Sequence, residues 1–233
     1  YVAFKIYKFY ARRKLNKLTA SKELFAKSEL GLFVALVAKV AKADGRVQEL
    51  EAQLIGIMFD DISKLFNEKE KARAILKEIF NEEKQKDNDT KQIAQDLNKL
   101  LSRSMLKRRQ FLGFLIQLAF IDGGISQDEK KVLHDIMQEL NIPSSVYDDI
   151  VNKFENMMKN KQQTMSSKEA YEILGVKESD DMDTIKKAYR QLIRKYHPDI
   201  ISSQNKDESY MEEATSKTQE INQAYQVIKD EKK

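Results

Sequence analysis

The sequence contains no cysteine among its 233 residues, and only two prolines and seven glycines. The absence of cysteine excludes disulfide bonds, zinc sites built from thiolates and cysteine nucleophiles. The scarcity of proline and glycine, together with many Lys, Glu, Leu and Ala residues, predicts an all-α protein. A bilayer-spanning helix needs roughly 20 apolar residues. The longest apolar-rich run, residues 30–41, is shorter and contains Lys39. The chain also shows no signal-peptide pattern.

Histidine is scarce as well, since the chain holds only His134 and His197. The sequence has no Gly-rich phosphate loop, no His-Glu-x-x-His and no Gly-x-Ser-x-Gly motif. His134 lies in a helical stretch, which favours a surface or helix-packing role over that of a general base. The sequence therefore predicts a protein that is not an enzyme, has no catalytic residue and needs no cofactor.

Positive charge is concentrated at the start of the chain, although the net charge is only +4. Residues 1–27 carry eight basic side chains against one acidic side chain, with aromatic residues between them. This pattern is typical of a nucleic-acid-binding arm, of a solvated helix, or of the cytoplasmic end of a membrane helix. In the last case, the membrane anchor would precede Tyr1.

The middle of the chain contains an internal repeat, in which residues 41–51 align with residues 119–129. The matching acids are Asp44 with Asp122 and Glu51 with Glu129. Each copy is predicted to be an apolar helix, an Asp-Gly turn and a new helix, with the glycine allowing a left-handed turn. The aspartate and the acids after it would cap the new helix. Further helices are predicted near residues 54–66, 68–84, 91–102 and 144–156.

The repeated acids also raise the question of a metal site. An EF-hand is disfavoured, because Gly45 at the sixth loop position would place Val40 and Lys42 where oxygen ligands are needed. A site shared between the copies stays open as an alternative to capping. Capping is the favoured interpretation, so no metal is predicted. The candidate ligands under the alternative are Asp44, Glu51, Asp122 and Glu129.

The C-terminal region places the tripeptide His197-Pro198-Asp199 directly after an amphipathic basic segment. Apolar residues over 185–196 and over 211–228 follow helical spacing, and the two stripes would pair as antiparallel helices. Aspartates at the start of the first helix would cap it. Pro198 would end that helix near His197. Four basic residues lie on another side of the first helix: Lys186, Lys187, Arg190 and Arg194.

These residues resemble the J-domain of the DnaJ family, from about Ser166 onward. The resemblance implies that the segment docks on a DnaK-type heat-shock chaperone and triggers ATP hydrolysis there. The implied chaperone-binding residues are His197, Pro198, Asp199, Lys186, Lys187, Tyr189, Arg190 and Arg194. One departure is that Ile200 and Ile201 follow the tripeptide, where many family members have a basic and then a small polar residue.

Residues 28–158 resemble the TerB-like helical domain, and the order of the two parts resembles the DjlA type of membrane-anchored DnaJ-like protein. The predicted fold is a TerB-like helical bundle followed by a C-terminal J-domain, an antiparallel helical hairpin with a His-Pro-Asp loop. The predicted divisions are a basic juxtamembrane segment at 1–27, the TerB-like domain at 28–158, a linker at 159–167 and the J-domain at 168–233.

Together these features predict a co-chaperone at the cytoplasmic face of a bacterial inner membrane that stimulates a DnaK-type ATPase. The TerB-like bundle would supply location or client choice, and the client proteins are not identified. One alternative is a TerB-type metal-binding stress sensor that uses the J-domain as its output. A nucleic-acid-binding adaptor that uses residues 1–27 is disfavoured, and a homodimer is left open.

Overall fold

The computed structural model describes residues 17–45, 47–121, 124–160, 165–196 and 208–232. These residues contain helices and no strand, so the all-α class predicted from composition is confirmed. The first helices, after a short 3-10 helix at Leu18–Ala20, are α1 (Lys22–Ala26), α2 (Glu29–Lys42), α3 (Glu49–Ser63), α4 (Lys69–Glu83) and α5 (Thr90–Leu100). The remaining helices are α6 (Met105–Ala119), α7 (Gln127–Glu139), α8 (Ser144–Asn160), α9 (Ser167–Leu174), α10 (Met182–Tyr196) and α11 (Glu208–Glu231).

The chain divides into two compact units. The first comprises residues 1–119 and 125–147, and the second comprises residues 120–124 and 148–233. The domain and linker boundaries drawn from the sequence stay predictions. No helix among the described residues is long and apolar enough to span a bilayer.

Helix α2 lies at the centre of the first unit, where it packs against α4, α5, α6 and α7. Every residue from 33 to 41 is buried, because this helix is apolar around most of its circumference. Its N-terminal end lies very close to α1. A Cβ atom on Gly31 would lie 2.1 Å from the backbone oxygen of Phe25, so only glycine fits at this position.

The two copies of the repeat contact each other through their first helices, α2 and α6. The rings of Phe33 and Phe111 stack with centroids 4.3 Å apart. One turn earlier, Lys107 Nζ donates to Glu29 Oε2 at 2.9 Å, across a separation of 78 residues. The same separation relates the two phenylalanines, so equivalent positions touch on successive turns. The helices therefore pack side by side, parallel and in register.

Helices α9, α10 and α11 pack together within the second unit. Ile185, Tyr189 and Ile193 form the buried stripe of α10, and the buried side chains of α11 recur at the same spacing. Contacts pair a later position on α10 with an earlier position on α11, which confirms the predicted antiparallel hairpin. The side chain of Met211, predicted to extend this stripe, lies outside the described side chains.

Candidate functional site

The start of α10 is fixed by a capping aspartate. The backbone N–H of Thr184 donates to Asp181 Oδ1 at 2.7 Å. This hydrogen bond holds the pKa of the Asp181 carboxyl below its ordinary value, because it stabilises the charged form. The predicted capping by aspartate is thus confirmed at Asp181, and it sets the register of every side chain along α10.

Tyr189 anchors the middle of α10 to α11. Its hydroxyl donates to Asn222 Oδ1 at 2.9 Å, and its ring centroid lies 4.6 Å from that of Tyr225. The side chain is fully buried. From the sequence, Tyr189 is predicted to be partly core and partly chaperone contact; the structure places its side chain in the hairpin core, and the contact role stays a prediction. Tyr189 therefore orients its exposed neighbours and forms no part of the exposed surface.

The last turn of α10 is also held against α11. Thr218 is buried, and its hydroxyl donates to the carbonyl oxygen of Ala214 at 2.8 Å. The same hydroxyl lies 3.5 Å from the carbonyl oxygen of Tyr196, the last described residue of α10. The end of the helix that precedes the His-Pro-Asp tripeptide is thus packed against α11.

Opposite the buried stripe, α10 presents a basic face. Lys187, Arg190 and Arg194 are exposed, and Lys186 is half-buried. Arg194 lies in the last helical turn, where a cation suits the negative end of the helix dipole. A rigid surface with several cations attracts an acidic partner and speeds its association.

The tripeptide residues His197, Pro198 and Asp199 lie outside the described residues. Their roles stay predictions. The structure describes α10 up to Tyr196, the position directly before His197.

The repeated glutamates cap helices. Glu51 Oε2 accepts the backbone N–H of Gln48 at 2.7 Å, and Glu129 Oε2 accepts that of Ser126 at 2.7 Å. The Ser126 hydroxyl accepts the Glu129 N–H in return, which completes a capping box. The prediction of capping is therefore confirmed for both glutamates. It is wrong for Asp44, because Gln48 is the N-cap residue of α3.

The acids of the two copies nevertheless approach each other. Burial raises the pKa of the Glu129 carboxyl, and the negative charge of Asp44 adds to this increase. No group of three or more histidine and acidic side chains in the described ranges is placed to hold a metal ion. Asp122, the fourth candidate ligand, lies outside those ranges. The glutamate positions are explained by capping without a metal.

Sequence analysis missed the role of Lys39. Its side chain is only 5% exposed, and its ammonium group ion-pairs with Asp89 at 2.6 Å and with Glu83 at 3.2 Å. It also donates to the carbonyl oxygens of Glu83 and Lys86. A lone lysine inside an apolar helix was the available signal, but its partners lie more than 40 residues away.

Two family models match separate regions of the chain. The DnaJ domain family matches residues 169–233. The family described as tellurite resistance protein TerB matches residues 32–152. The first match covers α10, α11 and most of α9, and the second covers most of the bundle from α2 onward.

Curated relatives carry both parts. The co-chaperone protein DjlA of Aliivibrio fischeri is 30% identical over 220 residues, covering 85% of this chain and 76% of the relative. The chain belongs to the DjlA family of co-chaperone proteins. DjlA of Yersinia pestis is 29% identical over 217 residues, covering 84% of this chain and 77% of the relative. DjlA of Escherichia coli K12 is 36% identical over 139 residues, covering 53% of this chain and 51% of the relative. No solved structure matches this DjlA-family chain significantly.

Proposed function

We propose that this DjlA-family protein stimulates ATP hydrolysis by a DnaK-type chaperone through α9–α11 and the tripeptide after α10. The observation that carries this proposal is the exposed basic face of α10, which the buried Tyr189 anchors to α11 and which ends directly before His197 in the sequence. The ATP site would lie on the chaperone, so this chain supplies binding energy and positioning and no catalytic group.

Each part of the hairpin has a separate task in this proposal. Lys187, Arg190 and Arg194 attract an acidic surface of the chaperone, assisted by the half-buried Lys186. Asp199 engages the groups that couple binding to hydrolysis. Pro198 and His197 maintain the shape of the loop. Long-range attraction by the exposed cations is screened by salt, so the association rate falls as ionic strength rises.

The proposed location is the cytoplasmic face of a bacterial inner membrane. The support is the basic and aromatic composition of residues 1–27, which is typical of a segment beside a membrane anchor. In this arrangement the TerB-like bundle would contribute location or client choice, and the hairpin would recruit the chaperone.

The test is steady-state ATP turnover by the DnaK-type chaperone of the same organism, with the wild-type chain and with the His197→Gln and Asp199→Asn variants. We expect stimulation by the wild type and its loss in both variants. Arg190→Ala should raise the concentration needed for half-maximal stimulation by about five-fold, which corresponds to one lost contact with an acidic surface.

Lys168→Ala is the matched control, because this lysine is exposed on α9 rather than on the basic face. It should leave stimulation unchanged. Absence of stimulation by the wild-type chain, with its helical content verified by circular dichroism, would refute the proposed function.

A further inference from the structure

The turn between α5 and α6 exposes an unusual amount of apolar surface. Only four large hydrophobic side chains are strongly exposed in the described part of the chain. Three of them lie on this turn: Leu100 at 49%, Met105 at 40% and Leu106 at 56%. Residues 99–109, which include this turn and the adjoining helix ends, are named the α5–α6 corner.

The same corner is strongly basic. Between residues 97 and 121 the sequence has five basic side chains and no acidic one. Two of the five are held by the bundle, since Lys107 donates to Glu29 and Arg108 donates to the carbonyl oxygen of Leu140. Lys99, Arg103 and Arg109 are exposed, and Lys99 also pairs with Asp96 on the same helix at 2.7 Å. Arg103 forms no ion pair with any described residue.

Local stability does not explain this composition. Cations in the first turns of α6 face the positive end of the helix dipole, where acidic residues are favoured and none is present. Exposed leucine and methionine side chains contribute little to the folded state, because they remain in water. A corner that combines both features is suited to a partner that is apolar and negatively charged at once.

We propose that the α5–α6 corner binds the surface of an anionic phospholipid bilayer. Leu100, Met105 and Leu106 would enter the boundary between headgroups and acyl chains, while the exposed cations contact lipid phosphates. Amphipathic surfaces bind membranes by this combination of apolar burial and attraction to anionic lipids.

A folded protein partner fits the corner less well. A stable interface between proteins takes about 20–30 residues from each side, far more than a single interhelical turn supplies. A bilayer accepts a small contact, because weak membrane contacts act together. The corner would be the second contact of a chain whose residues 1–27 are already placed beside the membrane, so this inference rests on the proposed location.

The functional consequence is orientation. A single attachment point leaves the bundle free to rotate above the membrane. A second contact through the corner would restrict that rotation and fix which face of the bundle points away from the lipid. Each exposed cation near an anionic surface should strengthen partition by about five-fold.

The absence of cysteine allows a direct test, because one introduced cysteine gives a single labelling site. In the full chain, Leu106→Cys is labelled with an environment-sensitive fluorophore, and Ala74→Cys with the same label is the control. Ala74 is exposed on α4, outside both the corner and residues 1–27. With phosphatidylglycerol-containing vesicles we expect a blue shift from the label at 106 and little change from the label at 74. No shift at 106, or equal shifts at both positions, would overturn the proposal.

Vesicle co-sedimentation gives a second measure without a label. The Leu100→Ser/Leu106→Ser double variant should partition onto phosphatidylglycerol-containing vesicles on the order of ten-fold more weakly than the wild type. Ala74→Ser should bind like the wild type, because Ala74 lies outside both the corner and residues 1–27. Unchanged binding by the double variant would show that lipid affinity resides elsewhere, for example in residues 1–27, and would reject the corner as a lipid site.

Failure of the proposed ATPase stimulation and failure of this inference are distinguishable. In vesicle-free solution, the double serine variant should stimulate the DnaK-type ATPase as the wild type does, because the corner is not part of the hairpin. Conversely, the His197→Gln variant should bind vesicles normally. Loss of stimulation in the double variant would indicate that the corner contacts the chaperone, which would contradict a purely lipid-binding role.

Discussion

The two copies of the internal repeat share one framework but carry different polar side chains at one buried position. Two pairs of equivalent residues contact each other, Glu29 with Lys107 and Phe33 with Phe111. A third pair, Glu51 and Glu129, plays the same role in each copy, because each glutamate accepts the backbone N–H of its N-cap residue. At the corresponding buried position, the first copy has Lys39 and the second has Gln117. The stacked rings and the capped helices are therefore common to both copies, whereas the buried polar residue differs and can have a different role in each copy.

The structure shows a role for this buried polar residue in the first copy only, where it is Lys39. The Lys39 ammonium group gathers two carboxylates and two carbonyl oxygens from the end of α4 and the turn before α5. A buried cation is tolerated only when it is paired and hydrogen-bonded in this way. Gln117, by contrast, has a buried amide nitrogen without a hydrogen-bond partner among the described residues. One copy uses its interior polar group to hold a turn, and the other does not.

The largest expected change in stability comes from removing the Lys39 ammonium group, which distinguishes the first copy from the second. Lys39→Ala should lower the free energy of unfolding by about 3–5 kcal/mol, because Glu83 and Asp89 lose their shared cation. Gln117→Leu should change it by less than about 1 kcal/mol or raise it, since an unsatisfied buried amide is removed. Urea unfolding followed by circular dichroism measures both.

Lys42→Ala is the matched control on the same helix. Its ion pair with Asp87 is largely exposed, so its removal should cost no more than about 1 kcal/mol. Equal losses for Lys39→Ala and Lys42→Ala would show that the buried cluster contributes no more than a surface pair. A large loss for Gln117→Leu would show that the amide has a partner outside the described residues.

Much of this framework was predictable, because its signals are local. Helical spacing predicted a helix from residue 68 to residue 84, and α4 runs from 69 to 83. The spacing was less informative at helix starts. Helix α3 begins at Glu49 rather than near residue 54, because its first turn is fixed by the Glu51 carboxylate and not by apolar side chains. A glutamate three residues after the N-cap was the signal for that earlier start.

The candidate site was predictable to a similar degree. Spacing along α10 placed its basic residues on one face and its apolar residues on another, as observed. It could not decide whether Tyr189 is covered, since that depends on Asn222 and Tyr225 of another helix. The partners of Lys39 were beyond reach for the same reason. Folding packs segments that are distant in the sequence against each other, and local spacing carries no information on these contacts.

A smaller change in stability is expected from the stacked phenylalanines, which both copies share. Phe33→Leu and Phe111→Leu should each lower the free energy of unfolding by about 1–2 kcal/mol, because each removes the stacked pair. Phe33→Leu should cost more, since Phe33 also contacts Phe114 edge-on at 5.5 Å. The double variant should cost less than the sum, because the stack is lost only once. Additive losses would show that the contact between the copies contributes nothing of its own.

The smallest expected effect concerns the capping glutamate of the second copy, Glu129, which is influenced by the charge of Asp44 in the first copy. Burial, reinforced by the charge of Asp44, raises the pKa of Glu129 above its ordinary value of 4.5, although the Ser126 N–H opposes the increase. Between 4.5 and the raised pKa, the folded chain therefore binds more protons than the unfolded chain, and stability falls as pH rises.

The difference in unfolding free energy between the wild type and Glu129→Gln should accordingly decline across that window and level off above it. Asp44→Asn should make the decline shallower, because one cause of the raised pKa is gone. If the difference instead grew with rising pH, the carboxylate would be stabilised by its cap more than it is penalised by burial and by Asp44.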